Sequence, residues 1–139
     1  MKLYIVATPL GNLGDITLRA LEVLKSVSLI ACEDTRVSQK LLSHYDIKTK
    51  TISYHQHSSA GKVDFLLEKL LEVGEMAVIT DAGTPGISDP GNLLVEAVVK
   101  KFAEKCDIIP IPGSSAIISL LSVSGLPTDK FLFLGFLPH

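Results

Sequence analysis

Two hydrophobic periods alternate along this chain, and that alternation restricts the fold more than any other feature. Short β-rich runs occur at "LYIVA" (3–7), "SLIAC" (28–32), "KTISY" (50–54), "MAVIT" (76–80), "DIIPI" (107–111) and "KFLFLGF" (130–136). Several are continuous apolar runs, the pattern of strands buried on both faces. Helical spacing fills the intervals. Residues 16–27 carry Leu18, Leu21, Leu24 and Val27, with Asp15 placed as a cap. Residues 60–73 carry Val63, Leu66, Leu67, Leu70 and Leu71, and Gly74 supplies a stop. Residues 92–105 repeat the pattern through Leu94, Val95, Val98, Val99 and Phe102, and a shorter apolar helix spans 114–123 after Pro112-Gly113. Strand–helix alternation of this kind predicts an α/β fold: a three-layer, open, mostly parallel sheet with helices on both faces.

The 139 residues suffice for one domain with its own core. Residues 1–134 are assigned to that domain. The end, "FLFLGFLPH", reads as a strand running into Leu137-Pro138, so 135–139 are expected to begin a linker to a further domain. Thirteen Lys and Arg against fifteen Asp and Glu give a net charge of −2, so no global basic field draws in nucleic acid. No apolar run approaches the ~18 residues of a membrane helix. The opening "MKLYIVATPLGNLGD" is broken by Pro9, Gly11 and Asn12, unlike a secretory leader. Cys32 and Cys106 match no metal or disulfide spacing and read as reduced core cysteines.

Ligands of open α/β sheets bind beyond the carboxyl ends of the strands. The segments that follow the strands are "TPLGNLGD" (8–15), "EDTR" (33–36), "HQHSS" (55–59), "DAGTPGISDPG" (81–91) and "PGSSA" (112–116). The opposite connections, such as "KSV" and "EVGE", are plain. The glycine-rich and polar chemistry therefore gathers at one edge of the sheet, which predicts a single cleft there.

Each loop admits a structural and a functional reading. "TPLGNLGD" lacks the dinucleotide fingerprint, and Asp15 reads as a helix cap. Asn12 is the better functional candidate, because a cap does not require it. In "EDTR", Arg36 reads as a bidentate anchor for phosphate or carboxylate, or, equally, Asp34 caps the following helix with Arg36 on a solvated face. His55 and His57 alternate, but without a third ligand they argue for no zinc site. "DAGTPGISDPG" combines glycines that permit unusual backbone or close approach with prolines that stiffen the loop, so it suits a small ligand gripped by main chain. "PGSSA" repeats this on a smaller scale, with Ser114 or Ser115 available to cap the next helix.

Taken together and in order, "TPLGNLGDIT", "EDTR", "TDAGTPGISDPG" and "PGSSA" resemble the N-terminal domain of the class III, tetrapyrrole-methylase-like, S-adenosylmethionine-dependent methyltransferases. Within that class the set is similar to the branch that methylates a cytidine ribose 2′-hydroxyl in small-subunit ribosomal RNA. The resemblance implies a cytoplasmic, two-domain, homodimeric enzyme acting on the small ribosomal subunit, with S-adenosylmethionine in the cleft between domains and no metal. It places Leu10, Gly83, Thr84, Ile87, Ser115 and Ala116 against the cofactor. Where other members of the class carry Gly-Asp-Pro, this chain has Gly83-Thr84-Pro85, and Asp81 is expected to replace the missing carboxylate. Asp34 and His55 are the candidate bases, and Asn12 and Arg36 the candidate substrate anchors. The competing readings are a class III methylase for a tetrapyrrole or a modified protein, or an inactive ligand-binding fragment. A phosphoacceptor domain would need acidic residues after the first strand, and "TPLGN" has none.

Overall fold

The computed structural model describes residues 1–55, 60–89 and 91–136. Five strands form one parallel sheet: β1 (Lys2–Val6), β2 (Leu29–Cys32), β3 (Thr51–Ser53), β4 (Glu75–Ile79) and β5 (Asp107–Ile111), in the order β3-β2-β4-β1-β5. The register aligns Leu3 with Met76 and Ile108, and Ala31 with Val78 and Ile52. Pro110 offers no amide to a ladder and lies in β5, an edge strand that pairs only with β1.

Strand side chains alternate between two cores. Leu3, Leu29, Ala31, Met76 and Val78 face α3 (Ala60–Val73) and α4 (Gly91–Phe102), where Leu66, Leu70, Leu94 and Val98 bury them. Val6, Ile30, Cys32, Ala77 and Ile79 face α1 (Leu18–Ser26) and α2 (Thr35–His44), against Ala20, Leu24 and Leu42. The three-layer α/β expectation therefore holds. α5 (Ala116–Val123) follows β5 and buries none of its residues.

Connections β1–β2 and β2–β3 run over the α1/α2 face, whereas β3–β4 and β4–β5 return over the α3/α4 face. The neighbouring strands β1 and β4 thus send their chains to opposite faces. A crevice opens at such a switch point.

Three sequence expectations are corrected. The sixth strand, at 130–136, is absent: residues 130–136 form no ladder with either edge strand, and Leu132, Leu134 and Phe136 are exposed. An apolar run becomes a strand only where its backbone groups find partners, which composition does not reveal. Asp15 caps no α-helix. It lies in a 3-10 turn, Leu13–Asp15, and α1 starts three residues later, capped by Thr17, whose hydroxyl accepts the Ala20 amide at 3.1 Å. Asn12 is a cap after all, its Oδ1 accepting the Gly14 amide at 3.0 Å. Gly74 does end α3, at φ +78°. Cys32 and Cys106 are both free and buried.

Candidate functional site

Three loops meet at the crevice. The β1 and β4 loops lock together through a two-residue antiparallel bridge. Thr8 N–H donates to Gly83 O and Gly83 N–H to Thr8 O, both at 2.9 Å. The buried Thr8 hydroxyl donates to Thr80 O at 3.0 Å. Gly83 has φ +87°, a conformation that disfavours side chains, and a Cβ there would touch Leu10 Cδ2 at 3.4 Å. The Thr84 hydroxyl then donates to Ser114 O at 3.1 Å, tying in the β5 loop.

Further along the β4 loop, Asp89 Oδ1 accepts the amides of Gly86 (2.8 Å) and Gly91 (2.7 Å). A Cβ at Gly91 would lie 2.8 Å from Gly86 N, so only glycine permits this closure. Asp89 therefore staples Gly86 and Gly91 together within the β4 loop.

These loops enclose a cavity of about 140 Å³ lined by Leu10, Gly83, Thr84, Ile87, Ser115 and Ala116. Six of the seven residues assigned to the cofactor thus share one wall-to-wall space. Phe133 and Phe136 also line it. Sequence reading missed them because it made 130–136 a strand. Ser115 occupies the N-cap position of α5 but makes no side-chain cap bond, and the Ser114 hydroxyl donates instead to Asp15 O at 3.4 Å.

Asp81, the seventh, lies elsewhere. It lines a second cavity of about 280 Å³ between the β1 loop, α2 and the end of β4. It also lines a polar cleft of about 430 Å³ together with Glu33, Asp34, Arg36 and His55. Three of the four residues proposed for substrate or catalysis are therefore gathered in that cleft. Asn12 lines none of these three spaces. His57 is outside the described residues.

The cleft's charges are already engaged. Asp34 accepts the Arg36 amide at 2.8 Å as the cap of α2, and its Oδ2 pairs with the exposed Arg36 guanidinium at 2.7 Å. Hydrogen bonds from Arg36 hold Asp34 down at about 2. Glu33 accepts the Thr80 hydroxyl at 2.7 Å. Asp81 behaves differently: although exposed, it is partly desolvated, which pushes its carboxyl above the usual value, opposed by a 3.1 Å hydrogen bond from the Asp34 amide and reinforced by the Glu33 and Asp34 charges. Asp34 thus satisfies the cap reading, and as a proton acceptor it is weak.

The sequence matches the Tetrapyrrole (Corrin/Porphyrin) Methylases over residues 2–136. It is 55% identical over 135 residues to Ribosomal RNA small subunit methyltransferase I of Synechocystis sp., covering 97% of this chain and 47% of that protein. The identity to the Vibrio cholerae protein of the same name is 54% over 136 residues, covering 98% and 46%. The chain spans about half the length of these curated relatives. Among solved structures, the uroporphyrin-III-C-methyltransferase of Thermus thermophilus superposes with a TM-score of 0.66 at 20% identity, over 91% of this chain and 53% of that one, which is a likeness of fold.

Proposed function

Because the chain belongs to the tetrapyrrole methylase family, we propose that it is the S-adenosylmethionine-binding half of a methyltransferase that modifies a cytidine ribose 2′-hydroxyl in small-subunit ribosomal RNA. The observation that carries this reading is the cavity where the β1, β4 and β5 loops converge. Its composition suits the ligand. Main chain at Thr84, Ser115 and Ala116 is available to an amino-acid moiety, while Gly83, whose amide and carbonyl are held by Thr8, lets the ligand come close. Leu10 and Ile87, both exposed, offer apolar surface for a heterocycle and its ribose. At about 140 Å³ the cavity encloses part of such a molecule, which agrees with a second domain completing the pocket.

The bound sulfonium would supply an activated methyl electrophile. The protein's share is then mainly to hold an oxygen in line, an effect that reaches roughly 7–11 kcal/mol at its upper limit. Preformed loops serve that purpose, since the Thr8–Gly83 bridge and the Asp89 staple leave little to reorganise. The polar cleft around Asp34, Arg36 and His55 adjoins the 280 Å³ cavity through Asp81, that cavity shares Leu10 and Ala82 with the cofactor space, and the cleft is the expected approach for the nucleotide. With a net charge of −2, this chain brings no global basic field to the phosphate contacts that ribosomal RNA demands. Those contacts are assigned to the second domain or the homodimer partner. A cytoplasmic location follows from the ribosomal substrate.

Calorimetric titration of S-adenosylmethionine into this chain and into the full-length protein tests the reading. Binding is expected in the full-length protein, weaker binding in the chain alone, and none after Thr84→Arg, which thrusts a long side chain into the cavity. Undiminished binding by the Thr84→Arg protein would remove this cavity from the site.

A further inference from the structure

We propose that Asp81 is the proton acceptor for the ribose hydroxyl, a role that rests on the methyltransferase reading above. The argument starts from position. Asp81 stands two residues after the end of β4, which lies between β2 and β1, and three residues before Thr84. It is shared by the polar cleft and the 280 Å³ cavity, and that cavity in turn shares Leu10 and Ala82 with the space assigned to the cofactor. An oxygen reaching the cofactor from the cleft passes this carboxylate.

The other two acceptors are less well placed. Both Asp34 oxygens are engaged by Arg36, and Asp34 also caps α2. His55 follows β3, which is two strands from β4 and three from β1. It lines the polar cleft but not the 280 Å³ cavity that leads on to the cofactor space. Asp81 has one oxygen fixed by the Asp34 amide at 3.1 Å, and no other hydrogen bond engages the carboxylate among the described residues. The tether orients the group while leaving Oδ2 for a substrate hydroxyl. Asp81 is exposed, yet partial desolvation beside Glu33 and Asp34 raises its carboxyl, whereas Arg36 lowers that of Asp34, so Asp81 is the stronger base of the two. Arg36, His55 and, on the adjoining cavity, Lys40 are the other titratable groups around it.

The step balances simply. The O2′–H bond breaks as its proton passes to Asp81 Oδ2, an oxygen lone pair forms the new O–CH3 bond, and the methyl–sulfur pair leaves with sulfur as a neutral thioether. The carboxylic acid then returns its proton to solvent.

Asp81→Asn in the full-length protein is the test, because asparagine can keep the acceptor for the Asp34 amide and hence the fold. Small ribosomal subunits lacking the modification are methylated with labelled S-adenosylmethionine at saturation. The variant is expected to lose about 10²–10⁴-fold in kcat, to bind S-adenosylmethionine within about twofold of wild type by calorimetry, and to lose the acid limb of the pH–kcat profile. Carboxyl 13C NMR, with Asp81 assigned by its absence in the variant, is expected to show it titrating above the ordinary aspartate value. An unchanged kcat would overturn the proposal. So would a weakened cofactor affinity with kcat intact, which makes Asp81 a cofactor contact, or an Asp81 carboxyl titrating below the ordinary value. Wild-type protein that yields no 2′-O-methylcytidine would instead fell the methyltransferase reading, and this inference with it.

Discussion

Removing the Asp89 carboxylate should loosen the β4 loop selectively. Asp89→Ala deletes one oxygen that accepts two amides, from Gly86 at 2.8 Å and Gly91 at 2.7 Å. Hydrogen bonds to a charged group contribute about 1.5–3 kcal/mol each when measured singly. Here both share one partly buried oxygen, so their contributions do not add in full. The expected loss is therefore about 2–3 kcal/mol rather than the sum. For a domain of this size that corresponds to a fall of roughly 6–15 °C in Tm. Asp89→Asn keeps an acceptor in place and should cost about 1 kcal/mol. Urea unfolding followed by circular dichroism measures both variants. S-adenosylmethionine affinity should fall with the same ranking, since a loop that must be ordered on binding spends affinity on it. An Asp89→Ala protein within about 0.5 kcal/mol of wild type would refute the staple, and with it the claim that the loop is preformed.

Other expectations follow from the same structure. Leu66 is fully buried between α3 and the sheet, so Leu66→Ala should cost about 2–5 kcal/mol in urea unfolding. Gly113→Ala places a Cβ 2.9 Å from Ala7 Cβ and should cost about 1–3 kcal/mol. Asp34 has a folded value of about 2 against an ordinary 3.8, so its contribution is fully present above 3.8 and is lost as pH falls toward 2; Asp34→Asn should flatten that acid limb of the stability curve. Burial raises the Cys32 thiol, with smaller effects from Ser38 and nearby carboxylates, so thiol reagents should modify it in the native protein only at the rate of unfolding.

Much of the fold was legible because burial on two faces leaves a one-dimensional trace. Continuous apolar runs marked β1, β2, β4 and β5, and the leucine and valine spacing marked α3 and α4 almost to their ends. The candidate cavity was legible for a related reason. Only particular backbone shapes need glycine at Gly83, Gly86 and Gly91, and those needs are written in "DAGTPGISDPG". Capping was misread at Asp15 and Asn12 because several short polar residues in one turn compete for the same amides, and the winner depends on the path of the chain. The false strand at 130–136 failed for want of a partner strand.

Fold class, the sheet edge at which the chemistry collects and the residues of the β1, β4 and β5 loops can be read along the chain, since periodicity and glycine placement are local properties. Strand order is a matter of three-dimensional packing: it sets β4 beside β1 and puts Asp81 and Thr84 on different cavities. Packing also decides which carboxylate is occupied. Asp34 and Asp81 look equivalent as letters, but one is held by Arg36 and the other is held at a single oxygen. That difference is made by neighbours distant in sequence, and no local pattern encodes it.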